Sequence, residues 1–145
     1  MPPQSCSLIP VDLAILGIPA FFAALPTPYL SLASCQLAGR GRGSNIGLSL
    51  AGCLQFSLLL RVSLPPLPAN KLVFVQYLFA LAVTEAYRDE NVLGRRGESV
   101  LIKWPNDFYA VFGPGEGKKK IGGILVSMNF SEGKCDTIID MSTRL

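Results

Sequence analysis

Apolar and polar residues alternate along residues 53–61, and this alternation predicts a β-strand. One face carries only apolar side chains, whereas the other is mostly polar: the first has Leu54, Phe56, Leu58 and Leu60, the second Gln55, Ser57, Leu59 and Arg61. A repeat of two residues is typical of a strand that is half-buried in a sheet. We therefore expect this strand to turn its leucine-rich face towards the core.

A helical repeat over residues 71–88 predicts a helix that follows a proline-rich loop. Asn70 stands at the start of this segment and can act as its N-cap. The apolar residues that recur at helical spacing form one broad stripe, which consists of Leu72, Val75, Leu78, Phe79, Ala82, Val83 and Ala86. A stripe of this width predicts that the helix packs flat on a sheet.

Four further segments predict strands, over residues 100–104, 108–112, 121–127 and 135–140. The second and third should form a hairpin, with glycines and a run of three lysines at its tip. Strands of this kind combined with helices predict an α+β fold. In this fold a mixed, largely antiparallel sheet carries its helices on one face.

Composition and charge narrow the possible functions. The 145 residues suffice for one domain, and a net charge of +3 is too small to indicate nucleic-acid binding. The chain has no histidine, which excludes Ser-His-Asp and Cys-His catalysis and most zinc sites. Four widely separated cysteines indicate reduced thiols and a cytoplasmic protein. Pro19 interrupts the apolar residues 11–25 and further prolines flank them, so we expect no membrane span.

Two short segments carry residues suited to binding anions. Residues 39–43 alternate glycine and arginine, so backbone N–H groups and guanidinium groups can surround a phosphate or carboxylate together. Lys103 alternates with Ile102 and Trp104, which predicts that its side chain points away from theirs. Taken alone, the glycine-arginine run is only a weak signal, because a solvated loop explains it as well, and Lys103 is better explained as a lysine at a sheet surface.

Three segments, in this order, resemble the catalytic domain of biotin protein ligases. Residues 36–43 are similar to the glycine-arginine loop of that family, residues 103–107 match its Lys-Trp-Pro-Asn-Asp motif, and residues 122–126 match its Gly-Gly-Ile-Leu-Val strand. Each motif has modest specificity, but their combination is specific. We therefore assign residues 34–145 to a partial catalytic domain of this type and residues 1–33 to a divergent N-terminal segment without an assigned fold.

The resemblance implies an ATP-dependent ligase that attaches biotin to a lysine of the biotin carboxyl-carrier domain of carboxylases through biotinyl-adenylate. Mg²⁺ would accompany the ATP, and no metal ligand is assigned. Lys103 and Arg42 would be catalytic. Residues implied in binding biotin or its adenylate are Gln36, Gly39, Arg40, Gly41, Arg42, Lys103, Gly122 and Gly123, and those next to the nucleotide are Trp104, Asn106 and Asp107. We expect Lys103, Arg40 and Arg42 to converge on one cleft.

Several of these residues also have a structural interpretation. The single tryptophan, Trp104, is expected to be structural, as a core residue. Asn106 and Asp107 are good turn formers, although Asp107 could also orient Lys103 or a magnesium ion. The lysines at 118–120 are expected to be solvated at the hairpin tip.

Three features depart from the family pattern. Gly47 stands where the family has a tryptophan, and neither the upstream Ser/Thr turn that binds the ureido group nor the downstream Gly-x-Gly-x-Asn segment is found. The chain as given is therefore expected to ligate biotin very poorly. Two alternatives stay open, a lipoate or octanoate transferase-like protein and a non-catalytic remnant of the fold.

Overall fold

A six-stranded sheet and one long helix form most of the structure. The computed structural model describes residues 24–34, 36–40, 46–49, 52–63, 71, 74–131 and 133–144. The strands are β1 Tyr29–Ala33, β2 Gln36–Arg40, β3 Ile46–Ser49, β4 Cys53–Ser63, β5 Val100–Lys103, β6 Asp107–Val111, β7 Lys118–Ser131 and β8 Lys134–Arg144; helix α1 is Val75–Arg88, and a 3₁₀ helix spans Gly94–Ser99. The main sheet has the order β1-β4-β8-β7-β6-β5, and β2 and β3 form a separate ribbon.

The helices pack on one face of the sheet. There Ala80 and Tyr87 of α1 meet the buried side chains of the strands, namely Val100, Phe108, Ile124, Ile139 and Met141. The ring of Tyr87 stands edge-on to that of Phe108, with 6.3 Å between their centroids. The α+β prediction is confirmed. We expected a mixed, largely antiparallel sheet, and all pairings among the described strands are antiparallel.

The predicted strands are present, and three of them are longer than predicted. β4 runs to Ser63, β7 begins at Lys118 and β8 extends to Arg144. We expected the lysines at 118–120 to lie at the hairpin tip. They belong to strand β7 instead, because the turn of the hairpin occupies the residues before them. Helix α1 begins at Val75, four residues later than predicted, and its N-cap residue Phe74 makes no side-chain capping bond. Asn70 lies outside the described residues.

The face of the sheet opposite α1 is more covered than the alternation in β4 predicts. Gln55, Ser57 and Leu59 are at most 1% exposed, whereas Leu54 on the other face is 39% exposed. Strand β1 pairs with β4 along its whole length, and Leu25 and Tyr29 pack against Leu59. The expectation of a half-buried β4 is therefore wrong: on this face Leu59 is covered by side chains from the segment left without an assigned fold.

No helix within the described residues is both long and apolar enough to cross a membrane.

Candidate active site

Strand pairing places Lys103 at one end of a row of residues that crosses the whole sheet. Each residue of the row is the direct partner of the next, in the order Lys103, Asp107, Gly123, Ser142, Gln55 and Ala33. Directly paired residues project to the same face of a sheet. Since Val100 and Ile102 face the helix side, the row lies on the opposite face. This face, which we call the ligand face, therefore carries the candidate site.

The Lys103 ammonium is available to a ligand. It lies 5.7 Å from the centroid of the Tyr109 ring, on the neighbouring strand. This cation–π contact is its only interaction with the residues that the structure describes. The predicted orientation of Lys103, away from the core, is confirmed.

Asp107 and Lys120 form an ion pair beside Lys103. The Lys120 ammonium lies 2.9 Å from Oδ1 of Asp107, whose side chain is 14% exposed. Gly122 pairs with Phe108 and Lys120 with Tyr109, so the residue between them, Ile121, forms a β-bulge. The bulge turns Lys120 towards the site, which a simple alternation of side chains does not predict. Asp107 is thus half of a charged pair and not only a turn former.

Asn106 fastens the turn after β5 to strand β7. It is 4% exposed, and its Nδ2 donates a hydrogen bond to the Ile124 carbonyl oxygen at 3.2 Å. The Ile124 N–H in turn donates to the Asn106 carbonyl oxygen at 2.8 Å. Asn106 is therefore a structural residue that holds the turn, and with it the neighbouring Asp107, in place.

Trp104 is not a core residue. It is 73% exposed, because β5 ends at Lys103 and the tryptophan begins the turn, where the alternation of the strand no longer applies. An exposed indole directly after Lys103 can serve as a stacking surface for a planar ligand.

Loss of the Asn106 amide should destabilise the fold. Asn106→Ala leaves the buried Ile124 carbonyl oxygen without this donor, so we expect the free energy of unfolding to fall by about 1–3 kcal/mol. Urea titration followed by circular dichroism measures the change. The matched control, Asn129→Ala, alters an exposed asparagine of β7 and should leave the midpoint unchanged. Equal midpoints for both variants would show that the Asn106 contacts contribute little.

The two consecutive glycines of β7 lie on opposite faces of the sheet. Gly123 belongs to the row, and a Cβ added to it would be 3.4 Å from Oδ1 of Asp107. At Gly122 a Cβ would be 2.6 Å from the Ser142 carbonyl oxygen and 2.7 Å from Cβ of Thr143. A side chain at Gly123 would therefore stand on the face that carries the row, whereas one at Gly122 would clash with β8, so Gly122 permits close packing of β7 against β8.

The glycine-arginine loop belongs to a ribbon inserted between two neighbouring strands of the sheet. β2 pairs with β3 through Gly39 with Gly47 and Arg40 with Ile46. β1 precedes this ribbon and β4 follows it, so the ribbon leaves the sheet next to Ala33, at the far end of the row. Gln36, the first residue of β2, is half-buried.

The rest of the glycine-arginine loop is not among the described residues. Gly41 and Arg42 lie outside the described residues, as does the side chain of Arg40. The convergence of Arg40, Arg42 and Lys103 on one cleft therefore stays a prediction.

A basic cavity lies beside the row, where β4 begins and β8 ends. Its volume is about 390 Å³, and it is lined by Cys53, Phe112, Lys119, Lys120, Ile121, Gly122, Ser142 and Arg144. The Lys119 ammonium lies 5.0 Å from the centroid of the Phe112 ring. Three cationic side chains in a cavity of this size can hold a ligand with phosphate groups.

Comparison with known proteins agrees with this geometry. Residues 19–139 match the family model of the biotin/lipoate A/B protein ligase family. The chain belongs to this family. A biotin–protein ligase of Schizosaccharomyces pombe is 36% identical over 116 residues, which are 76% of this chain and 18% of the relative. The human biotin–protein ligase is 36% identical over 96 residues, or 66% of this chain and 12% of the relative.

Solved structures of the family have the same fold. Biotin protein ligase from Leishmania major, in complex with biotinyl-5-AMP, has a TM-score of 0.57 and 23% identity over 79% of this chain and 46% of its own. Biotin acetyl coenzyme A carboxylase synthetase from Helicobacter pylori, with bound biotinylated ATP, has a TM-score of 0.54 and 26% identity over 86% and 51% of the two chains.

Four polar residues on the ligand face were not predicted from the sequence to belong to the site. They lie on the central strands β4 and β8 and are Gln55, Ser57, Asp140 and Ser142. The Ser57 hydroxyl donates a hydrogen bond to the Asp140 carboxylate. The alternation in residues 53–61 placed Gln55 and Ser57 on the same face, but it did not show that both side chains are buried. The middle of the site is therefore polar.

Proposed function

We propose that the protein activates biotin with MgATP and transfers the biotinyl group to a lysine of a biotin carboxyl-carrier domain. The observation that carries the proposal is the Lys103 ammonium on the ligand face, in the same row as Ser142, which lines a cavity together with Lys119, Lys120 and Arg144. The relatives named biotin–protein ligase support the choice of reaction. The Helicobacter pylori enzyme, with bound biotinylated ATP, supports the choice of nucleotide.

The chemistry proceeds in two steps. A carboxylate oxygen of biotin attacks the α-phosphorus of ATP, the bond to the bridging oxygen breaks, and pyrophosphate leaves with the electron pair. The lysine amine of the carrier then attacks the carbonyl carbon of the biotinyl-adenylate, AMP departs, and the amine loses a proton. Lys103 stabilises the negative charge that develops around the α-phosphate in the first step.

Other groups hold the ligand and exclude water. The cationic side chains of the cavity bind the phosphates of ATP, and the exposed ring of Trp104 offers a surface for the base. Arg40 and Arg42 of the glycine-arginine loop hold anionic groups and, with the loop, shield the mixed anhydride from hydrolysis. Gln36 and the backbone at Gly123 contact the biotinyl part.

Magnesium enters as part of the nucleotide substrate. Among the described residues no three His, Cys, Asp or Glu side chains gather into a metal site. A Mg²⁺ ion that is held mainly by nucleotide phosphates and water needs no such cage. Cys53 and Cys135 are free thiols, which agrees with a reducing cytoplasm as the proposed location.

Nucleotide activation is the decisive test. The purified chain is incubated with MgATP and biotin, lipoate or octanoate, and release of pyrophosphate is followed together with transfer to a carrier domain. We expect pyrophosphate only with biotin. Release with lipoate or octanoate instead would identify a ligase for those acids, whereas transfer of octanoyl or lipoyl from an acyl thioester to the carrier domain without pyrophosphate release would identify an acyl transferase. Neither pyrophosphate release nor acyl transfer would indicate a non-catalytic remnant. The number of turnovers tests the expected poor ligation.

A further inference from the structure

The carboxamide of Gln55 lacks hydrogen-bond partners although it is buried. The residue is 1% exposed, and neither Nε2 nor Oε1 is hydrogen-bonded in the part of the chain that the structure describes. Buried polar groups in native proteins are almost always paired, since an unpaired one loses its bonds to water without compensation. An unpaired donor and acceptor on one side chain therefore indicate a ligand with an acceptor and a donor side by side.

The position of Gln55 connects it to the catalytic lysine. Both residues belong to the same row across the sheet, four strand-to-strand steps apart. Steps of about 4.8 Å separate their backbones by about 19 Å. The Lys103 side chain is long enough to cover part of this distance, and a small ring with a short acyl chain has the length to cover most of the rest. A ligand whose carboxylate meets Lys103 would place its other end at Gln55.

The surroundings of Gln55 are polar on this face. Ser142 is its direct partner on β8, and Ser57, the next residue of β4 on the same side, is hydrogen-bonded to Asp140. An apolar acyl tail in this place would leave the carboxamide unpaired. A cyclic urea presents a carbonyl oxygen and an N–H group side by side and can exchange two hydrogen bonds with a carboxamide.

We infer that Gln55 is a specificity-determining residue, which selects a ureido head group over an apolar acyl chain. This inference rests on the proposed function and adds a residue to it. A site built to form hydrogen bonds discriminates strongly against ligands that cannot return them. Gln55 thus makes the difference between biotin and the lipoyl or octanoyl groups that the same ligand face could otherwise accept.

The test replaces the carboxamide by an apolar side chain of similar size. Gln55→Met and the matched control Gln76→Met, on helix α1 across the sheet, are compared with the wild type. Calorimetry measures binding of biotin, desthiobiotin, lipoate and octanoate, and thermal unfolding is recorded without ligand. For Gln55→Met we expect affinity for biotin and desthiobiotin to fall tenfold or more, with lipoate and octanoate bound equally well or better. The control should match the wild type.

The Tm measured without ligand distinguishes a role of Gln55 in ligand recognition from a purely structural role. Removal of an unpaired buried carboxamide should leave the Tm of Gln55→Met unchanged or raise it, whereas a merely structural glutamine would lower both Tm and affinity. If Gln55→Met does not fold, Gln55→Glu, which keeps the shape but loses the donor, replaces it and should also weaken biotin binding at least tenfold. Biotin binding within twofold of the wild type in a folded variant overturns the inference. A wild type that binds no biotin overturns both it and the proposed function.

Discussion

Lys103→Ala is expected to lower the rate of biotinyl-adenylate formation by a factor of about 100–1000, the cost of removing one preorganised charge-stabilising group. The ammonium touches only the Tyr109 ring among the described residues, so nothing else in that part of the site replaces it. Biotin-dependent exchange of pyrophosphate into ATP measures this step without a carrier domain. Since Lys103 is exposed, we expect no loss of folded protein.

The matched control is Lys134→Ala. Lys134 is an exposed lysine at the start of β8, far along that strand from Ser142, and its loss should not change the exchange rate. Lys103→Arg keeps the charge but presents it as a planar fork, so we expect it to restore only part of the rate. An exchange rate for Lys103→Ala within threefold of the wild type would exclude Lys103 from catalysis, whatever its effect on biotin binding.

The parts of the fold that depend on local pattern could be predicted from the sequence. Alternation in residues 53–61 and 100–104 identified two strands, and the same alternation gave the orientation of Lys103 away from the core. The helical repeat of residues 71–88 identified α1, although its first turn was misplaced by four residues. Both patterns involve residues of a single strand or helix, so their spacing can be read directly from the sequence.

Features that depend on pairing between distant strands could not be predicted. The bulge at Ile121, which brings Lys120 to Asp107, follows from the register of β6 against β7. The cover over Leu59 comes from Leu25 and Tyr29, which belong to a segment without a clear repeat. Alternation assigns Gly122 and Gly123 to opposite faces, but only the register shows that Gly123 lies in the row with Lys103.

The two glycines of β7 should therefore respond in opposite ways to the same methyl group. In Gly122→Ala the new Cβ would lie 2.6 Å from a backbone oxygen of β8, which cannot move without separating the two strands. We expect a loss of about 1–3 kcal/mol in the free energy of unfolding, typical of overpacking. In a thermal melt this loss corresponds to a Tm lower by roughly 3–10 °C for a domain of this size.

Gly123→Ala should keep the stability and lose affinity. Its Cβ would meet Oδ1 of Asp107 at 3.4 Å, an ordinary contact, and an alanine restricts the unfolded chain, so the Tm should stay the same or rise slightly. The methyl group would nevertheless stand on the ligand face, between Asp107 and Ser142, where the acyl chain has to pass from Lys103 towards Gln55. We expect calorimetry to show biotin binding at least tenfold weaker than in the wild type. If instead Gly123→Ala binds biotin normally, or melts as early as Gly122→Ala, the ligand does not cross this row of the sheet.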